Sequence, residues 1–129
     1  RLYEVGLSEM CMRENVGLMA YSPLGFGFLT GKYLNGIPEN SRMQLFQNFK
    51  RYINENCHKA TKLYKELAEA NNLTLTQMAL AFVNRQDFVT STIIGATTME
   101  QLQENIAAFE TVLSPEIINE INKIQELIN

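Results

Sequence analysis

A single histidine, His58, and two cysteines, Cys11 and Cys57, leave this sequence short of metal ligands. Cys57 and His58 could begin a site, but no other cysteine or histidine is placed to complete it, which argues against metal binding and leaves His58 expected on a solvated helix face. Two cysteines also make no disulfide framework in 129 residues, so a reducing, cytoplasmic setting is expected. Long hydrophobic runs are missing too. The longest, VGLMAY and MALAFV, have six residues each, against roughly 20 needed to cross a bilayer, and no membrane partner is expected. There is no excess of positive charge: 11 Lys and Arg against 14 Asp and Glu give a net charge of −3 and a pI near 5.2. A nucleic-acid partner is disfavoured on that ground. No signal peptide is visible, and the first residue is Arg1 rather than Met, so the start of the full protein is expected elsewhere.

What is present is an α/β pattern within one partial domain, residues 1–129. A hydrophobic content of 46% suffices for a core. Residues 2–13 have Leu2, Val5, Met10 and Cys11 broadly on one side of a helix that Gly6 weakens. Val16 to Tyr21 is short and almost wholly apolar, like a parallel strand covered on both faces. A long polar connection then runs from Ser22 to Glu55, and connections of that length in compact domains are usually functional. Apolar positions Cys57, Ala60, Leu63, Tyr64 and Leu67 recur at helical spacing over residues 56–70. Asn71-Asn72 ends that helix, and Thr74 or Thr76 can cap the next, TQMALAFVNR. Strand character returns at Val89 to Ile94. Thr98 with Gln101 is a capping-box pattern opening a helix over 99–109, and Ser114-Pro115 heads a last helix over 115–127.

Two strands do not make a parallel sheet. Segments this apolar need neighbours on both edges and helices on both faces, so the chain is expected either to associate or to belong to something larger. Ligands of parallel α/β folds sit beyond the carboxyl ends of the strands, where backbone N–H groups and helix starts receive anions. Both strand ends have suitable parts. After the first, Gly25, Gly27 and Gly31 allow close backbone approach, with Lys32 and Arg42 offering positive charge. After the second, Gly95 to Thr98 leads small and hydroxyl residues into a helix N-terminus. The dinucleotide fingerprint GxGxxG is not met, because Thr30 stands where its third glycine would be. On spacing alone these remain glycine-rich turns that fit a phosphate without requiring one.

The segments AYSPLGFGFLTGKY, GIPENSR and IIGATTMEQLQENI, in this order and separation, resemble the carboxyl-terminal part of the aldo-keto reductase superfamily. The likeness is to its bacterial Tas-like branch and, more distantly, to the potassium-channel β-subunits, and it extends over essentially the whole chain. It implies an NADP(H)-dependent (β/α)8 barrel that reduces aldehydes and ketones, with Val16–Tyr21 as strand 7, Val89–Ile94 as strand 8 and residues 99–109 as the eighth barrel helix. By the same resemblance Tyr21 stacks on the nicotinamide, while Ser22, Leu24 and the turn at Gly25 line the pyrophosphate. Lys32 and Arg42 contact phosphate. Gly95, Thr97 and Gln101 surround the adenosine phosphate, and Glu104 and Asn105 reach the adenine. The residue types suit those roles: an aromatic face for a planar ring, and an amide and a carboxylate for an amino-purine edge. The alternatives are that Tyr21 caps a core and that Glu104 and Asn105 only face solvent. Many members carry Lys and Arg where this sequence has Gly95 and Gln101, which weakens the case for a 2′-phosphate there and keeps NAD(H) open beside NADP(H).

The family's Asp, Tyr, Lys and His set, in which the tyrosine protonates the carbonyl oxygen, belongs to the amino-terminal half of the barrel. Nothing here matches its motifs, so no catalytic residue is assigned and the chain alone is expected to be inactive. Three readings follow: a carboxyl-terminal part of a reductase that needs its amino-terminal barrel half to act on a small carbonyl substrate, a non-catalytic self-associating module with some nucleotide affinity, or a stand-alone α/β domain.

Overall fold

The computed structural model describes residues 2–46 and 51–128. Part of the long connection, residues 47–50, lies outside the described residues.

Backbone chemistry explains most element ends. The helix expected over 2–13 is split: a 3-10 turn, Leu2–Glu4, precedes α1, Leu7–Arg13. Gly6 between them has φ +87°, in the left-handed region that a right-handed helix cannot pass through. Of the apolar residues placed on one side, Leu2, Val5 and Met10 face outward, at 93%, 82% and 63% exposed, and Cys11 is half-buried. α3, Glu55–Ala70, starts at Asn54, whose side chain accepts from the Cys57 N–H at 2.8 Å. α4, Leu75–Asn84, is capped by Thr74 and not by Thr76, which is buried. The Thr74 hydroxyl accepts from the Gln77 N–H and the Gln77 side chain accepts from the Thr74 N–H, a complete capping box. α5, Met99–Ala107, tightens into a 3-10 turn at Ala108–Glu110, so the expected 99–109 helix is two elements. α6, Pro115–Ile128, opens beneath Ser114, whose hydroxyl accepts from the Ile117 N–H at 3.4 Å.

The strands β1, Leu18–Tyr21, and β2, Val89–Ile93, pair in parallel as a two-stranded sheet. Tyr21 lies opposite Ile93, and Met19 opposite Ser91, while Leu18 pairs with Val89. Thr90 is the residue skipped by this irregularity. It packs against Gly17, where an added Cβ would lie 1.8 Å from the Thr90 hydroxyl, so the position has no room for a side chain. The burial expected on both faces of the first strand is not found: Met19 and Tyr21 are exposed, and only the alternate residues Leu18 and Ala20 are partly covered. Strand period 2 assigns one face to the helices and leaves the other uncovered among the described residues.

The core lies between α3, α4 and α6. Ala68, Leu75, Met78, Ala81, Leu113, Ile117 and Ile121 are buried together, with Tyr64, Leu67 and Phe82 packed against them. α4 is buried on several sides at once, through Leu75, Thr76, Met78, Leu80 and Ala81. A helix apolar around most of its circumference belongs in an interior, and α4 is the element on which the others are arranged.

The long connection is not featureless. It holds a kinked 3-10 segment, Gly25–Thr30, and a short α2, Arg42–Leu45, capped by Ser41. His58 is exposed as expected, but its Nε2 lies 3.1 Å from the Leu34 carbonyl and ties α3 to this connection. Among the described residues no helix is long and apolar enough to cross a membrane, and no group of three or more His, Cys, Asp or Glu could hold a metal ion.

Candidate functional site

The carboxyl ends of β1 and β2 lie side by side at Tyr21 and Ile93. Beyond Tyr21 the backbone turns through left-handed positions at Ser22, Gly25, Phe26, Gly27 and Gly31. The coil is closed from within: the Gly25 N–H donates to the Ser22 carbonyl, and the N–H groups of Gly27 and Leu29 both donate to that of Leu24. The Thr30 hydroxyl donates to the Gly27 carbonyl at 2.8 Å. A side chain on Gly27 would come within 2.9 Å of Lys32 Cε, so this glycine leaves room for the lysine stem.

Beyond Ile93 the chain reaches α5 through Gly95, Ala96 and Thr97. Here the capping box expected of Thr98 and Gln101 is half formed. The Thr98 hydroxyl accepts from the Gln101 N–H, but Gln101 Oε1 reaches one residue further back and accepts from both the N–H and the hydroxyl of Thr97, at 2.9 and 3.1 Å. Its own backbone N–H, and then the Thr98 hydroxyl, hold the Glu100 carboxyl below its ordinary range. Donors at this helix start are therefore engaged inside their own turn, and the end that looked suited to an anion is largely self-satisfied.

An open cleft of about 990 Å³ lies between the two strand ends. Its walls include Tyr21, Ser22, Leu24, Lys32 and Arg42 on one side, and Gly95, Thr97, Gln101, Glu104 and Asn105 on the other. Ten of the eleven residues singled out from sequence thus face one space, and only Gly25 is not among its walls. Tyr21 is 75% exposed and caps no core within this chain. Asn105, in contrast, is 2% exposed, with Nδ2 donating to the Gly95 carbonyl at 3.4 Å. It faces no bulk solvent and fixes the end of β2 to α5. Glu104 Oε1 accepts from the Thr74 hydroxyl at 2.8 Å, so the α4 cap also orients an acid of the cleft.

Several wall residues were not foreseen. Thr74 and Thr76 come from α4, and Pro38 to Ser41 from the approach to α2. Thr74 was legible as a cap, but nothing in the sequence pattern placed it beside Glu104, 30 residues away. Its removal is a direct test of the double role. Thr74→Ala is expected to lower stability by about 1 kcal/mol through the lost cap, read as a lower urea midpoint at unchanged slope. Thr74→Ser should restore both.

Electrostatically the two walls differ. The α5 side carries neutral amides and hydroxyls beside the engaged Glu104, whereas Lys32 and Arg42 stand on the other side near Glu39. Among the described residues neither cation is within 4.0 Å of a carboxylate. Cations without a carboxylate partner among the described residues, beside an exposed aromatic ring and a polar amide wall, suit a ligand with phosphate at one end and flat rings along its length.

Comparisons with known proteins place the chain in a family. The family described as Aldo/keto reductase family matches residues 1–126. The chain is 49% identical over 128 residues to Protein tas of Escherichia coli K12, covering 98% of this chain and 37% of that protein. It is 39% identical over 112 residues to the L-glyceraldehyde 3-phosphate reductase of the same organism, covering 83% of this chain and 32% of the reductase. Among solved structures, a glycerol dehydrogenase from Gluconobacter oxydans superposes with a TM-score of 0.75 at 22% identity, over the whole of this chain and 40% of the other. The chain therefore spans well under half the length of these relatives.

Proposed function

This chain belongs to the aldo/keto reductase family, and we propose that it is the carboxyl-terminal, cofactor-binding part of an NADP(H)-dependent reductase of carbonyl compounds. In this reading β1 and β2 are the last two strands of a (β/α)8 barrel. The observation that carries it is the convergence of ten sequence-predicted residues on one cleft, two of them cations without a carboxylate partner among the described residues.

The residues fit the dinucleotide. Tyr21 offers an exposed ring at the end of β1 for the nicotinamide face. Ser22 and Leu24 line the turn that would face the pyrophosphate, and Lys32 and Arg42 would supply charge to the phosphates, the 2′-phosphate among them. Thr97, Gln101 and Glu104 present oxygen and amide groups toward the adenosine end, and Asn105 holds the Gly95 backbone in place beneath them. When bound, the nicotinamide would supply a hydride to the carbonyl carbon. The proton for the carbonyl oxygen would have to come from outside this chain, to which no catalytic residue is assigned. The Lys32 and Arg42 side favours NADP(H) over NAD(H), since a 2′-phosphate adds charge and these are the cations among the described walls of the cleft.

A second reading rests on the open sheet. Among the described residues β1 and β2 each have a bare edge, and Met19, Ile93 and the outward residues of α1 are exposed and apolar. An amino-terminal barrel half would cover them, and so would a second copy of this chain. Titrating NADPH into the purified chain while following mass by light scattering separates the readings. Saturable binding, tighter for NADPH than NADH, is expected. A stable dimer without nucleotide affinity would replace the first reading with self-association, and a clean monomer with no exposed hydrophobic surface would remove both.

A further inference from the structure

Lys32 and Arg42 are held in an unusual way. The ion pairs among the described residues join Arg13 to Glu9, Lys59 to Glu55, Lys65 to Glu69 and Lys123 to Glu120, all within helices. The two cations of the cleft lie instead against aromatic rings. Lys32 Nζ is 5.1 Å from the centroid of Tyr33, and Arg42 Cζ is 5.9 Å from that of Phe26.

These rings belong to one array. Phe28 adjoins Tyr33 at 4.9 Å between centroids, and Tyr52 adjoins both Phe26 at 5.5 Å and Phe28 at 5.9 Å. Tyr52 carries a third cation, Arg51, at 5.7 Å. Among the described residues, four tilted rings thus run through the connection between β1 and α3, and three of them carry a positive charge. Phe26 takes part although its φ is +57°, a left-handed conformation that a bulky side chain adopts only at a cost. That cost is offset where the ring has a fixed task in its surroundings.

The electrostatic logic distinguishes this arrangement from an ordinary ion pair. A carboxylate beside Arg42 would orient it but also neutralise it, and an incoming phosphate would have to compete. A ring face orients the guanidinium through its quadrupole and leaves the net charge whole. We propose that Phe26 and Tyr33, braced by Phe28 and Tyr52, are positioning residues for the cleft: they hold Arg42 and Lys32 in place, fully charged, for the phosphates of the nucleotide. This rests on the cofactor reading above and adds to it residues that the comparisons do not assign.

The test uses the full chain with two probes, NADPH and inorganic pyrophosphate, and the variants Phe26→Leu, Phe26→Tyr, Arg42→Ala and the double variant F26L/R42A. F26L should weaken both probes roughly 2- to 5-fold, the scale of an exposed cation–aromatic contact, while F26Y binds like the wild type. In the R42A background F26L should cost nothing more, because a positioning ring acts only through its cation. Proton NMR supplies a readout independent of binding: Arg42 and Lys32 side-chain protons shifted upfield by ring currents in the wild type, with the Arg42 shift lost in F26L. Undisplaced resonances in the wild type would overturn the proposal, even if F26L failed to fold. So would unchanged affinity in F26L, or a full additional loss in the double variant, and in those cases NADPH binding by the wild type would leave the cofactor reading standing. A wild-type chain that binds neither probe overturns that reading and the proposal with it.

Discussion

Replacing Arg42 with alanine is expected to weaken NADPH binding about tenfold, the scale of one charge-assisted hydrogen bond, and NADH binding by clearly less. Arg42 stands on the cleft wall without a carboxylate within 4.0 Å among the described residues, so the variant removes a charge and frees no buried anion. Its side chain is exposed, and the loss should shrink as salt is raised, because screening weakens exposed charges first. Lys32→Ala should act in the same direction. Competitive titrations of both nucleotides at two ionic strengths measure the difference. Equal losses for NADPH and NADH would mean that these side chains do not read the 2′-phosphate. Lys123→Ala, which removes a cation paired with Glu120 on α6, serves as the control and should leave both affinities unchanged.

The largest expected effect on stability is at Leu80. This leucine of α4 is 1% exposed, and Leu80→Ala should cost about 3 kcal/mol, combining lost burial with the cavity left behind. Such a cost is a large share of the stability of an ordinary domain. In urea denaturation the midpoint should fall sharply with little change in slope. The matched change at Leu2, 93% exposed, should stay within about 0.5 kcal/mol. If the two variants behaved alike, α4 would not be the packing centre of the fold.

Much of the fold could be read from local chemistry. Thr74, Thr98 and Ser114 announced their helices because a hydroxyl before an apolar period has an immediate partner in the first-turn N–H groups. β1 and β2 were recognisable as short apolar runs, but their coverage was not. Burial depends on neighbours, and the period-2 alternation that leaves Met19 and Tyr21 exposed is set by which face the helices reach. Gly6 was flagged as a weak point of a helix, yet the break itself required knowing that its φ is positive.

The site was legible in residue identity and less so in role. Motif resemblance selected ten residues that do share a cleft. It could not tell which side chains are already spent on local structure. Gln101 holds Thr97, and Asn105 holds Gly95, through bonds that depend on how α5 meets the end of β2. The Thr74–Glu104 contact and the ring array around Tyr52 were invisible for a related reason: they join segments far apart in sequence, and neither has a spacing that periodicity can detect.

The most direct measurement is chemical-shift mapping of the isotopically labelled chain during titration with NADP⁺. If the two strand ends hold one nucleotide, resonances of Tyr21, Lys32 and Arg42 shift together with those of Gly95 to Gln101, along a single saturation curve. Shifts confined to one end, separate curves for the two ends, or none at all would contradict it.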